Sequence, residues 1–173
     1  MRIYLIGFMG SGKSHVGKRL ARMLNWQFVD MDEYLEQQEG RTISDIFATD
    51  GADEFRRLEQ QYLQASTQWD NIVIATGGGA PCFFDNMAWM QRNGLTIYLQ
   101  TPVQILAERL EYGMEHRPLL RGKTFWELKE FIRDKLAERE AFYMQAAVVY
   151  DVKEVKQKVA EELFRELNQI IGH

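Results

Sequence analysis

The sequence is poor in cysteine and proline, with one Cys (Cys82) and three Pro among 173 residues. A single thiol closes no intrachain disulfide and builds no cysteine-ligated zinc site, so a reducing, cytoplasmic setting is expected. Nor does any apolar run approach the ~20 residues of a membrane-spanning helix. The first residues, with Arg2 ahead of an apolar run, lead into Gly10, Ser11, Gly12 and Lys13 with no small-residue cleavage pattern. That reads as a buried strand rather than a signal peptide. Positive charge is not in excess either: the formal net charge is −4. An acidic balance argues against bulk binding to nucleic acid, whose phosphates call for a basic face. Any anion site must therefore be a local cluster. His15, His116 and His173 are too scattered to form a metal site, and nothing resembles a linker, a repeat or a low-complexity tract.

What is present suits one domain spanning residues 1–173. Hydrophobic residues make up 46%, and ten Phe, seven Tyr and four Trp can fill a core. That composition is unlike the aromatic-poor make-up of disordered chains. Short apolar runs at Arg2–Ile6, Gln27–Val29, Asn71–Ala75, Leu95–Leu99 and Ala147–Tyr150 read as strands. They show little polar alternation, as expected of strands buried on both faces of a parallel sheet. Helical patterns lie between them at Ser14–Leu24, Thr42–Gln68, Phe84–Arg92, Val103–Leu110 and Thr124–Met144, and a last one runs near Glu154–Ile170. Thr42 followed by Asp45 resembles a capping box with Asp in place of Glu. Alternating strand and helix implies right-handed crossovers and an open three-layer α/β/α sheet, whose ligands sit beyond the carboxyl ends of the strands.

Gly7-Phe8-Met9-Gly10-Ser11-Gly12-Lys13-Ser14 fits GxxxxGK[ST] once, after the first strand and before the first helix. Glycines let successive backbone N–H groups turn inward around a phosphate, and a helix N-terminus adds partial positive charge. Lys13 is placed to reach the β- and γ-phosphates of a nucleotide and Ser14 to coordinate magnesium. A second magnesium element is usually a strand ending in Asp. Here Asn71–Ala75 ends in Thr76 and three glycines, and the only strand-end acidic pair is Asp30-Met31-Asp32. Alternate residues at a strand end face opposite sides, so one carboxylate can serve magnesium while the other faces a second ligand. The plainer alternative is two solvated acids capping the helix that begins near Glu33.

Together, the phosphate loop, Asp30-x-Asp32, Phe55-Arg56 with Glu59, Gly77-Gly78-Gly79, Arg117-Pro118-Leu119-Leu120 and Arg139 with Tyr143 resemble shikimate kinase, in register to about residue 150. The resemblance implies a P-loop fold of nucleoside-monophosphate-kinase type with a five-stranded parallel sheet and a mobile lid. It also implies magnesium-dependent phosphoryl transfer from ATP to the 3-hydroxyl of shikimate, in the pathway to chorismate and the aromatic amino acids. A cytoplasmic monomer with small-molecule substrates is expected, with no nucleic-acid or membrane partner.

Carried over residue by residue, the resemblance makes Lys13, Asp32 and Arg117 catalytic. Gly10, Ser11, Gly12, Lys13, Ser14, His15, Arg109 and Arg117 would bind ATP. Asp32, Arg56, Gly77, Gly78, Gly79 and Arg139 would bind shikimate, and Ser14 and Asp30 would hold the metal. Asp32 would orient the acceptor hydroxyl and take its proton. Arg56 and Arg139 would grip the carboxylate, a task suited to a planar, permanently charged fork. Glu59, three residues past Arg56 on a helix, could orient it. Residues 31–60 would form the substrate-binding helical segment and residues 111–123 the lid, with Arg117 arriving on closure to meet the transferring phosphoryl group and exclude water.

Surface ion pairing among Glu54, Arg56, Arg57 and Glu59, or around Glu138-Arg139-Glu140, is the bland alternative for each arginine taken singly. One departure is Gly51-Ala52, where the family usually shows Gly-Glu. Cys82 is expected to be a buried small hydrophobe, and Trp26, Trp69, Trp89 and Trp126 to be packing residues.

Overall fold

The computed structural model describes residues 1–154 and 158–171. Five parallel strands form one sheet in the order β2-β3-β1-β4-β5. They are β1 (Arg2–Ile6), β2 (Gln27–Asp30), β3 (Ile72–Ala75), β4 (Leu95–Gln100) and β5 (Val148–Asp151), each within a residue or so of the sequence expectation. The three central strands are almost wholly buried, whereas edge strands β2 and β5 are half-exposed. Only the centre of the sheet is covered on both faces.

Alternation along β1 shows how the layers form. Ile3 and Leu5 point to one face, where they join Leu20 of α1 (Lys13–Leu24) and Leu163 and Leu167 of α7 (Val159–Ile171). Tyr4 and Ile6 point to the other face. There they meet Leu63 of α3 (Ile43–Ala65), Met87 and Met90 of α4 (Asn86–Asn93) and Tyr143 of α6 (Phe125–Tyr143). A further cluster ties Phe8 to Leu106 and Leu110 of α5 (Val103–Glu111), Leu128 and Ile132 of α6, and Leu120.

Helix ends follow their local chemistry. Thr42 and Asp45 form a capping box at α3, and Thr124 and Glu127 form another at α6. Each satisfies orphan N–H groups of a first turn. The segment expected as one helix over Thr42–Gln68 is broken at Gly51, where φ is 86°, and its last residues form a single 3-10 turn at Ser66–Gln68. The fourth helix starts at Asn86 rather than Phe84, because Phe84 sits at φ 51°. A helix not set out separately, α2 (Met31–Glu39), starts directly at the Asp30-x-Asp32 pair, ahead of Glu33. The last helix starts at Val159, and the part of the expected span at 155–157 lies outside the described residues. His173 lies outside them too.

Because β1 is central, the chain leaves it towards β2 and β3 on one side and later towards β4 and β5 on the other. This change of direction opens a crevice at the carboxyl end of β1. Both the loop 7–14 and the glycine run 77–79 emerge there, the latter tied to β1 by Thr76, whose N–H and Oγ1 both donate to the Leu5 carbonyl at 3.1 Å. No helix among the described residues is long and apolar enough to cross a membrane.

Candidate active site

The loop after β1 turns on Gly10 (φ 81°) and Gly12 (φ 90°), left-handed conformations that disfavour side chains. Gly12 caps α1, so the loop delivers its N–H groups at a helix N-terminus. Among the described residues the buried Ser11 hydroxyl has no partner, leaving a donor for an incoming anion. Lys13 folds back over the loop, its Nζ donating to the carbonyls of Gly7 (2.7 Å) and Phe8 (3.0 Å). Burial pushes the Lys13 ammonium down to about 8, Asp32 and Asp30 partly restore it, and Arg139 and Arg117 lower it further.

Asp30 takes the capping role, one of the readings that the sequence left open. Its Oδ1 accepts from the N–H groups of Asp32 (3.0 Å) and Glu33 (3.3 Å), capping α2. Its Oδ2 accepts from the Ser14 hydroxyl. Ser14 and Asp30 thus present adjoining oxygens beside the loop, a hard donor pair suited to magnesium that keeps most of its water. Among the described residues no cluster of three or more His, Cys, Asp or Glu is poised for a metal.

Asp32 lies a step further in and is half-buried. Burial raises its carboxyl above the usual range, as does neighbouring Asp30, against the pull of Lys13. A carboxylate raised this way is a better proton acceptor.

The glycine run organises the rest. A methyl group built on Gly77 would stand 2.7 Å from Glu59 Oε2 and 2.9 Å from Asp32 Oδ1. On Gly78 it would meet Arg139 Nη1 at 3.5 Å, and on Gly79 both terminal nitrogens of Arg56 at 2.7 Å. Successive glycines therefore abut the acids, one arginine and then the other. Arg56 pairs with buried Glu59 at 2.8 Å, and burial raises the Glu59 carboxyl while Arg56 opposes the rise. Arg57 behaves as an ordinary surface residue paired with Glu54. Arg139 escapes the solvated-face alternative: its guanidinium lies 5.5 Å from the Phe8 ring centroid. Meanwhile Glu138 pairs with Lys135, and Glu140 accepts from Tyr98 and Gln100.

Other expectations meet mixed outcomes. Arg109 Nη1 donates to the Gly10 carbonyl at 3.2 Å, placing it against the phosphate loop. His15 is exposed on the first turn of α1. Arg117 is exposed, on a segment pinned by buried Leu120. The segment 111–123 is thus no plain surface loop, because Glu111 ends α5 and Leu120 enters the core. Trp126 is a correction: it is 67% exposed and packs little, since the first turn of α6 faces solvent there. Cys82 is half-buried rather than buried. Ala52 is exposed, so no buried partner is lost by its small side chain.

Sequence reasoning left two participants unassigned. The Tyr143 hydroxyl donates to the Gly78 carbonyl. Its spacing of one helical turn from Arg139 was a usable signal. Phe83 lies against Arg56, with the guanidinium carbon 4.1 Å from the ring centroid, and no sequence spacing foretells this.

A phosphate loop on a parallel sheet, facing a pocket of acids and arginines, defines a P-loop kinase of small molecules. A family profile for shikimate kinase matches residues 9–168. The chain is 46% identical over 155 residues to the shikimate kinase of Azobacteroides pseudotrichonymphae, covering 89% of this chain and 91% of that protein. The crystal structure of the Bacteroides thetaiotaomicron shikimate kinase superposes with a TM-score of 0.92 at 38% identity, covering 100% of this chain and 99% of that one. That of Acinetobacter baumannii shikimate kinase in complex with shikimate gives 0.85 at 34%, covering 98% and 92%. A gluconokinase from Sinorhizobium meliloti, 19% identical with a TM-score of 0.58, shares the fold. The chain belongs to the shikimate kinase family.

Proposed function

We propose that this protein transfers the γ-phosphoryl group of ATP to the 3-hydroxyl of shikimate, yielding shikimate 3-phosphate and ADP. The observation that carries the reading is the set of contacts along Gly77-Gly78-Gly79, which places two acids and two arginines around one small space beside the phosphate loop. Such a space takes a compact ring bearing hydroxyls and a carboxylate. A side chain on Gly77 or Gly79 would displace the very groups that recognise it.

In this reading the loop N–H groups and the Ser11 hydroxyl hold the phosphates, and Lys13 leaves its own carbonyls for the β- and γ-phosphate oxygens. Ser14 and Asp30 would hold magnesium, which when bound neutralises phosphate charge. Arg56 and Arg139 take the acceptor's carboxylate through charge-assisted bonds. This fixes the ring so that one hydroxyl points at Asp32. Asp32 orients that hydroxyl and accepts its proton as the new P–O bond forms and the bond to ADP breaks. Arg117, carried by the 111–123 lid, stabilises charge on the transferring group; phosphoryl transfer depends mostly on such positioning and charge stabilisation. Leu120 anchors that lid, Arg109 and His15 flank the nucleotide, and residues 31–60 carry the acceptor side. All these groups come from one chain, which fits a monomer, and the lone cysteine fits a reducing cytoplasm.

The test is magnesium-dependent ADP release with shikimate, quinate, gluconate or no acceptor. Strong stimulation by shikimate alone is expected. Equal stimulation by gluconate would move the substrate while keeping the kinase, and ATP binding without turnover on any acceptor would leave a nucleotide-binding module.

A further inference from the structure

We propose that Phe83 is a positioning residue that sets the plane of Arg56 and so tunes this enzyme's preference for a carboxylated acceptor. The proposal rests on the reading that Arg56 grips that carboxylate. Arg56 has one in-plane anchor among the described residues, the bond from Nη1 to Glu59 Oε1. A single bond holds one corner of the fork and leaves rotation about that corner open. The rings supply the missing restraint: Phe55 at 5.0 Å and Phe83, closer, at 4.1 Å from the guanidinium carbon. A cation over an aromatic face is attracted by the ring quadrupole without using any N–H. The remaining donors of the fork stay free for a carboxylate, whereas a second acid in place of the ring would occupy them.

Core packing does not account for Phe83, which is 38% exposed and belongs to none of the hydrophobic clusters. The backbone around it is built to hold it in place. Ala80–Cys82 forms a single 3-10 turn, locked by Asn86 Nδ2 donating to the Ala80 carbonyl at 2.9 Å. The next residue, Phe84, takes φ 51°, a conformation that costs a bulky side chain energy and persists only when its surroundings impose it. This bend lets α4 start at Asn86 while Phe83 stays over Arg56. The same short segment thus contributes Gly79, which leaves room for the guanidinium nitrogens, and Phe83, which covers the guanidinium.

The experiment measures KM for shikimate, KM for ATP, kcat and melting midpoint in Phe83→Leu, Phe83→Tyr, Arg56→Ala and Arg56→Ala/Phe83→Leu. Loss of the ring in Phe83→Leu is expected to raise the shikimate KM roughly three- to tenfold, with kcat and ATP KM within about twofold. Phe83→Tyr, which keeps the π face, should restore the shikimate KM. In the Arg56→Ala background, Phe83→Leu should add nothing. An unchanged shikimate KM in Phe83→Leu, or a rise that persists undiminished without Arg56, overturns the proposal; so does a matching rise in ATP KM, which would mark a general structural defect. If Arg56→Ala itself leaves the shikimate KM unchanged, the carboxylate reading fails first and the proposal falls with it. Phe83→Met, similar in bulk and without a ring, carries the same comparison if Phe83→Leu does not fold.

Discussion

In the proposed reaction, the phosphate side and the acceptor side of this site are built on opposite plans. The phosphate side is one contiguous stretch, residues 7–14, whose glycines and helix N-terminus form an anion cradle from local geometry alone. The acceptor side draws Asp32, Arg56, Glu59 and Arg139 from three helices and aligns them along a run of glycines from a fourth place in the chain. A contiguous cradle serves any nucleotide kinase. A pocket assembled at a distance can be re-cut residue by residue.

If the division holds, changes on the phosphate side should lower turnover and changes on the acceptor side should raise the acceptor requirement. The largest effect is expected for Lys13→Ala and Arg117→Ala. Each should lower kcat by about 10²- to 10³-fold or more with little change in shikimate affinity, as read from steady-state kinetics and direct shikimate binding. Near-normal turnover in Arg117→Ala would remove the lid from the mechanism.

Next comes a contrast between neighbouring glycines. The Cβ of Gly79→Ala would push on the far end of a flexible side chain, 2.7 Å from both Arg56 nitrogens. Stability should change little, but the shikimate KM should rise on the order of tenfold or more through a lost charge-assisted contact. Gly78→Ala, whose Cβ meets its neighbours only at 3.5 Å, should do much less. Equal effects at the two positions would mean that the glycines serve backbone flexibility rather than the spacing of side chains.

A smaller change tests how the acceptor side is held together. Tyr143→Phe leaves the Gly78 carbonyl without its donor and should cost about 1–3 kcal/mol in urea unfolding. A modest rise in shikimate KM should accompany it. An unchanged unfolding midpoint would assign the tyrosine to packing against Tyr98 alone.

The smallest effect is a proton. Lys13 is lowered by burial from 10.5 to about 8, so the folded chain binds fewer protons here than the unfolded one between those values. In that window this group makes the nucleotide-free fold more stable as pH rises. Phosphate oxygens should restore the ammonium, so ATP binding should take up a proton above pH 8 and none at pH 7. Calorimetry in buffers of different ionisation enthalpy reads this directly, and uptake unchanged in Lys13→Met would assign the proton to another group.

Much of the fold was legible because its signals are local. Apolar runs marked every strand, and Thr42/Asp45 marked a helix start that the structure caps in that way. Asp30 was legible only as two alternatives, cap or metal ligand; one oxygen of its carboxylate caps α2, and the other accepts from the Ser14 hydroxyl. Trp126 misled, because bulk and apolarity predict burial only when a neighbouring element arrives to cover them. Leu120 gave no signal of its own, because its charged, glycine-bearing segment has no apolar periodicity, yet it is buried against Phe8 and Leu110.

By itself the sequence determined the phosphate cradle, the alternation of strands and helices and the family motifs, since each depends on residues close together in the chain. Only the tertiary structure decided that Gly77, Gly78 and Gly79 space Asp32, Glu59, Arg139 and Arg56, and that Tyr143 and Phe83 hold two of those neighbours in place. Contacts of this kind depend on the sheet bringing distant segments to one edge, and their geometry exists only once the core on both faces of β1 has packed.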